Sequence, residues 1–521
     1  MVTLDPFGYS ESDTKKVPSN WGERAGNNIH FKTRENTIRN LLLFKKNEHL
    51  DYIKLIESER LIRSQRYVHR VIIKTEAISK KSDSIDVSVR VLDTWSLTPE
   101  GSLSGSSLNF ELNERNFLGL GHEFDNRIVN RFSDKKNGYN IKYTVPNFKN
   151  TYIRTTLIYN KDLNDFYDKS IAFDRPFFSP LTRWAGGIKF NQTFSIQEFK
   201  DLNNLSDFQN NKNNTQDFWI GHANGIFNGS SVRERTTKFI LTAGFLNVNY
   251  IESPKAIYDT IGFYTNERFF LSGIGIASRQ FKQDSYIFNY GVIEDVPIGK
   301  IYGITGGYQY KNQRERLYAG ARASFGKYFK WGYLSTDFQY GTFFRANKTN
   351  QSAFSFQSNY FTKLIDLGKW KLRQFIKSQL ILGQNRLDTP ADRLILNDNY
   401  GLSGFSSSIN GTKKVVLTFQ TQAYSPWNLI GFRINPFFNY AVASLGTSEI
   451  PLTQSKYYSK IGFGVIISND YLVFNSFQIS FAYYPKIPDQ GDNLFKNNAF
   501  RTTDFGFQDF DLGRPQVVPF R

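Results

Sequence analysis

From Ser102 onward, apolar and polar residues alternate in short segments broken by Gly, Asn, Asp and Lys. Leu108-Asn-Phe-Glu-Leu112, Tyr152 to Tyr159, Phe239 to Tyr250, Leu317 to Phe329, Phe354 to Phe361 and Phe477 to Tyr483 all follow this pattern. A period of two places one apolar face on a strand, so each segment predicts a half-apolar β-strand. About twenty such segments fill roughly 420 residues, close to the 16 to 20 strands expected at about 20 to 25 residues per strand and turn. A soluble sandwich has no use for so many long, aromatic-flanked strands. A propeller would repeat every 40 to 50 residues or so, and no such period is present.

The chain reads differently before residue 97. Residues 1–26, with Pro6, Gly8 and Pro18, read as an extended lead-in. Asn28-Ile-His-Phe-Lys32 predicts a short strand, and Thr33 with Glu35 and Asn36 predicts a capped helix through Phe44. A second helix is expected over Asp51 to Gln65, followed by strands over Val68 to Ile78 and Ser84 to Leu92. The last strand alternates cleanly, with Ile85, Val87, Val89 and Val91 on one face and Asp86, Ser88 and Arg90 on the other. This β-α-α-β-β order over residues 27–97 predicts a small α+β domain, with residues 98–521 as a separate β domain.

Composition adds the setting. Aromatic residues make up 16% of the chain while hydrophobic residues make up 40%. That balance suits a transmembrane barrel with aromatic girdles outside and polar residues inside. No run approaches the roughly 18 apolar residues of a membrane-spanning helix. There is no cysteine, which removes disulfides and thiolate metal sites. Residues 1–19 contain Asp5, Glu11 and Asp13 and no apolar core of a signal peptide, so the export signal is expected to be absent from this chain. The net charge of +18 is spread among acidic residues without a nucleic-acid-binding motif, so no nucleic-acid partner is expected. Solvated loops and lumen, or attraction to lipopolysaccharide and anionic lipid, account for the excess.

Catalytic signatures are missing. Neither a phosphate-binding glycine loop nor Gly-x-Ser-x-Gly occurs, and His30, His49, His69, His122 and His222 have no metal-ligand spacing. A lone Ser and His on the outer face of a barrel could serve an enzyme, with His122 or His222 as base, but a strand or loop histidine is the simpler reading. No enzyme, metal or cofactor is therefore expected.

Three segments carry a family resemblance: Thr33 with Ile38-Arg39 and Leu42-Leu43-Phe44; Glu57-Ser-Glu-Arg60 with Ile62-Arg63; and Ile85-Asp-Val87 through Asp93, Trp95, Ser96 and Leu97. They resemble the last POTRA domain before the barrel in the BamA/TamA superfamily, in versions associated with Bacteroidetes. Glu114-x-Asn116-Phe-Leu-Gly119-x-Gly121 and Gly401 to Phe405 are similar to segments near the start and late in that superfamily's barrel. The resemblance implies one POTRA-like domain in the periplasm and a barrel of about sixteen strands in a Gram-negative outer membrane. It also implies insertion or translocation of client envelope proteins, with outer-membrane lipids and accessory lipoproteins as further partners. A passive pore or scaffold barrel is the alternative.

In that superfamily a long loop folds into the lumen, and an arginine at its tip pairs with acidic residues on nearby strands. Here loop 387–412 carries Gly401, Leu402, Ser403, Gly404 and Phe405 as the matching tip, with Ser403 where the arginine would stand. The partner positions are Gln420 and Gln422, so the resemblance implies an inserted loop without its charged latch. Losing both charges together avoids a buried unpaired arginine. Clients would pair at the seam between the first strand, within Leu103 to Leu112, and the last. Pro515 and Pro519 weaken a paired final strand within segment 486–521, which reads as an imperfect seam or a tail. In the small domain, Val68, Arg70, Ile72 and Lys74 mark an edge strand able to accept an extended segment; equally, that strand's Val71 and Ile73 pack under the helices.

Overall fold

The computed structural model describes all residues except 80–82, 104–105, 201–204, 347, 399–400, 430–431, 470–476 and 521. The N-terminal part is a three-stranded sheet with helices against it. Strand β1 (Val2–Leu4) is followed by α1 (Trp21–Ile29), α2 (Glu35–Arg39), α3 (Tyr52–Arg63), β2 (Val68–Ala77) and β3 (Ile85–Asp93). The sheet order is β1-β3-β2, with β1 parallel and β2 antiparallel to β3. Ile38, Leu41, Leu61 and Ile62 from the helical side pack on Val71, Val89 and Val91.

Two expectations are corrected here. The strand expected over residues 28–32 is absent: Asn28 and Ile29 end α1, and the next residues are irregular. The first strand is Val2–Leu4, inside the segment read as a lead-in. The reason is a capping box. The Asn20 side chain accepts from the Glu23 backbone N–H while Glu23 reaches back, so a helix starts at Trp21 and consumes the residues read as a strand. The helix expected through Phe44 also stops at Arg39, and Thr33 does not cap it. Instead Thr33 donates its N–H to Asp93 Oδ2 at 2.7 Å.

The rest of the chain closes on itself. Twenty-two strand segments, from Leu97–Leu103 to Gly491–Asn497, run antiparallel in sequence order, and the last lies beside the first. Ile365–Leu367 and Asn428–Leu429 merely continue the strands before them, since those strands pair past them with the next in line. Among the described residues the ring therefore has twenty staves against the expected sixteen or so. The excess lies with the short early strands: the six between Leu97 and Arg175 have only 7 to 11 residues each.

Alternation sorts the side chains as the pattern demands. Phe270, Ile274, Ile304, Leu317, Phe438 and Phe463 are exposed on the outer face, whereas Gln309, Asp337, Gln379 and Asn439 are buried within. An apolar outer face with a polar interior is stable only where the surrounding medium is itself apolar.

The small domain covers one end of the ring. Arg63 Nε pairs with Asp295 at 2.9 Å and Arg235 with Asp51 at 2.6 Å. Ser179 Oγ donates to Glu57 at 3.0 Å, and the Tyr152 hydroxyl to the Leu41 carbonyl at 2.7 Å. Since hairpins alternate between the two ends, loop 387–412 belongs to the opposite one.

Candidate functional site in the barrel lumen

The long loop between Trp370–Gln384 and Lys413–Tyr424 turns into the lumen. A bridge between Leu394 and Gly411 closes its neck, and Asp392 ties its base by accepting from Leu387 N at 2.6 Å and Gln351 Nε2 at 2.8 Å. At the tip, Leu402 and Phe405 are almost completely buried among Val416, Phe437, Ile466, Tyr484 and Ile487. Gly404 holds φ at +81°, a conformation glycine adopts without strain. A Cβ on Gly401 would overlap the Leu396 carbonyl. The five tip residues thus form one docked turn.

Among the described residues Ser403 contributes its backbone: its carbonyl accepts from the Tyr484 hydroxyl, and the next carbonyl, of Gly404, accepts from Lys496 Nζ at 2.8 Å.

Gln420 and Gln422 are not brought to this tip, a correction to the pairing the resemblance implied. Gln420 donates to the Thr502 carbonyl at 3.1 Å and accepts from Asn439 at 3.2 Å. Gln422 Oε1 accepts from the Tyr424 hydroxyl at 2.8 Å. Nor is the loop without a charged anchor. Asp398 on the loop pairs with Lys414, whose side chain is fully buried on the following strand. The acid sits on the loop and the base on the wall, the reverse of the arrangement sought in the sequence. A search for an arginine at the tip passes over it.

The lumen has a second occupant that sequence reasoning missed. The final ring strand is Gly491–Asn497, paired with Phe477–Ile487. Pro515 and Pro519 therefore do not interrupt a ladder. Residues 498–520 leave the sheet and cross the interior, burying Phe500, Phe505, Phe510, Val518 and Phe520. Arg279 pairs with Asp509 at 3.0 Å, Arg514 with Asp217 at 2.6 Å, and the Arg386 guanidinium lies 3.7 Å from the Phe520 ring centre.

The expected edge strand is β2. Among the described residues it pairs only with β3, and Arg70 and Lys74 are exposed along it while Val68 and Val71 pack inward. The outer-face histidine His222 packs against Trp184, the rings tilted by 48° with centres 4.1 Å apart. Ser272 lines the same shallow depression of about 400 Å³, but no hydrogen bond joins the two among the described residues.

In the small domain, burial pushes the Asp93 carboxyl up to about 7 and the His69 imidazole down to about 4. Asp93 stands at the joint with the ring. Thr33, which donates its N–H to Asp93, accepts on Oγ1 from Asn116 Nδ2 at 2.9 Å.

No family model and no curated protein matches the chain. Among solved structures it is similar to BamA from Haemophilus ducreyi lacking POTRA domains 1-3, at 11% identity and a TM-score of 0.32 over 89% of this chain and 81% of that one. It is also similar to CdiB from Acinetobacter baumannii, at 9% identity and a TM-score of 0.40 over 89% and 70%. CdiB from Escherichia coli gives 11% identity and a TM-score of 0.42 over 89% and 73%.

Proposed function

We propose that this chain is an outer-membrane barrel of the BamA/TamA type that inserts or translocates envelope proteins, with its POTRA-like domain in the periplasm. One observation carries the reading. The ring is covered at one end by an α/β domain with an edge strand, and receives at the other a long loop docked inside the lumen. The open edge of β2, running from Val68 through Arg70, Ile72 and Lys74, is where an extended client or an accessory lipoprotein would add a strand. The apolar outer belt faces lipid, and the basic excess meets lipopolysaccharide or anionic headgroups at its rims. The chemistry asked of such a protein is strand pairing and lipid displacement, which needs no enzyme activity, metal or cofactor.

A second reading, a passive scaffold barrel, is favoured by the tail and loop that fill part of the lumen. Reconstitution separates the two. The full chain in phospholipid vesicles should speed the protease-protected insertion of an unfolded outer-membrane barrel client over empty vesicles. Insertion at the empty-vesicle rate by a correctly folded protein would leave only the scaffold.

A further inference from the structure

Segment 498–520 is held in a manner unlike the strands around it. It forms no strand, and beyond the Asn498 N–H that donates to the Ser480 carbonyl at 2.7 Å it shares no main-chain hydrogen bond with the wall among the described residues. Instead, wall side chains grip its main chain. Gln478 Nε2 donates to the Phe500 carbonyl at 2.8 Å and Gln420 to that of Thr502 at 3.1 Å. Lys377 Nζ donates to the carbonyls of Asp504 and Phe505, each at 3.1 Å, and the Tyr318 hydroxyl accepts from Val518 N at 2.8 Å. Contacts of this kind hold a backbone whatever its sequence, and the one gripped here is irregular and open apart from a single 3-10 turn at Thr502–Phe505.

Its side chains are read by a different device. Phe500, Phe505, Phe510, Pro515 and Phe520 recur every fifth residue, and four of the five sit on glycines of the inner wall. A Cβ on Gly462, Gly326 or Gly383 would overlap the rings of Phe500, Phe510 or Phe520. Pro515 rests on Gly244 and Gly273, with Cβ positions at 3.2 Å from its Cγ and 3.7 Å from its Cβ. Glycine in a strand interior weakens the strand and packs nothing unless another chain comes close. These glycines lie on separate strands of the ring and are matched to one crossing segment.

We propose that this inner wall is a binding track for extended peptide, selective for bulky apolar side chains at five-residue intervals, and that segment 498–520 is its resident and displaceable ligand. Release breaks side-chain contacts and the single Asn498–Ser480 backbone bond, and leaves the strand-to-strand ladders of the ring in place. A competing segment of the same chemistry can therefore take the track without opening the sheet.

The test uses the full chain and a variant lacking 498–521, both in phospholipid vesicles, with a fluorescent synthetic peptide of residues 498–521 as the probe. The truncated barrel should bind the peptide saturably and conduct ions several-fold better than the full chain, and added peptide should return conductance to the full-chain level. A peptide of the same composition with its aromatics clustered should bind about tenfold more weakly. A folded truncated barrel that binds neither peptide, or binds both equally, overturns the proposal.

Should truncation prevent folding, a lock within the full chain decides. Gly273→Cys with Pro515→Cys places the two Cβ atoms about 3.7 Å apart, within disulfide reach. Thr242→Ala clears the hydroxyl 2.6 Å from the new Cβ, and the chain has no other cysteine to interfere. Reduced protein should exchange its tail for labelled peptide, and oxidised protein should do so at least about tenfold less. Equal uptake in both states, or none in either, overturns the proposal. Peptide uptake is read without any client, so it can fail while insertion succeeds, and the reverse.

Discussion

The two sides of the ring are braced mainly by opposite ends of the chain, with the Arg63–Asp295 pair and the Pro515 seat on Gly244 and Gly273 crossing that division. Strands between Leu97 and Ser285 meet the N-terminal domain through Asn116, Asn147, Tyr152, Ser179 and Arg235. Strands from Ile293 to Asn497 enclose most of the C-terminal segment and the docked tip of the inserted loop. The walls differ accordingly. Inside the first strands, polar side chains pair with one another, as Arg115 does with Asp125 at 2.6 Å and Arg127 with Asn109 at 2.9 Å. Inside the later ones, Gly326, Gly383 and Gly462 stand under aromatic rings. The outer face alternates the same way throughout, because lipid makes one demand on every strand. The inner face has no such common solvent, and it records whichever segment lies against it.

The largest expected effect falls on the first side. Asp93 has its carboxyl raised to about 7 by burial, while in the unfolded chain it titrates near 4. The folded state thus holds a proton that the unfolded state releases over that window. The stability this contributes is full below about pH 4 and is lost as pH rises through 7, amounting to as much as about 4 kcal/mol. Denaturant titration of the domain's unfolding between pH 4 and 8 should show this slope, and Asp93→Asn should flatten it. His69, lowered to about 4, acts in the opposite sense: its contribution is present above about 6.5 and is lost as pH falls. An Asp93→Asn protein with an unchanged acid-side advantage would show that the joint with Asn116 does not depend on this carboxyl.

On the second side, the Asp398–Lys414 pair is the next test. Lys414→Met takes away the buried counter-charge of Asp398 and should cost about 3 kcal/mol, seen as faster proteolysis of loop 387–412 and a lower urea midpoint. Adding Asp398→Asn should recover most of that loss, since a buried pair removed whole is nearly neutral. A smaller loss, about 2 kcal/mol, is expected from Gly462→Val, which overpacks the Phe500 seat. By contrast Asn160→Ala on the first wall should stay within about 0.5 kcal/mol, because that side chain is only half-buried. Equal losses from the two would erase the distinction between the walls. Heat-modified gel mobility after graded heating reads both.

What could be seen in the sequence follows the same division. Alternation with aromatics revealed the barrel because the outer face obeys a period of two. Strands β2 and β3 and helix α3 were legible for a similar reason, each having one face on a local core. Val2–Leu4 was too short to show any period, although the capping box that displaced the expected strand was written plainly as Asn20-x-x-Glu23. Leu402 and Phe405 were found from their resemblance, but Asp398 was not, since the pair was sought with the charges the other way round. The five-residue spacing of Phe500 to Phe520 fits neither strand nor helix. It acquires meaning only against glycines on strands far away in sequence, and no local window contains those.

The smallest effect isolates how the domain grips the first side. Asp51 does two jobs at the head of α3: its Oδ1 accepts from Ile53 N at 3.1 Å as the helix cap, and its carboxylate pairs with Arg235 across the joint. The Arg235 guanidinium holds that carboxyl below its usual range, so the pair's contribution is present at neutral pH and is lost as pH falls through the lowered value. Asp51→Ala removes cap and pair together and should cost about 1.5 kcal/mol. Asp51→Asn keeps an oxygen for the cap and should lose only the pair, about 0.5 kcal/mol, because both partners are partly exposed to solvent. The difference between the two variants, read from urea midpoints at pH 7, is the cap. If Asp51→Asn proves as costly as Asp51→Ala, the bridge to Arg235 carries more of the joint than a screened ion pair can. The first side would then be held by charge in the manner of the Asp398–Lys414 anchor on the second.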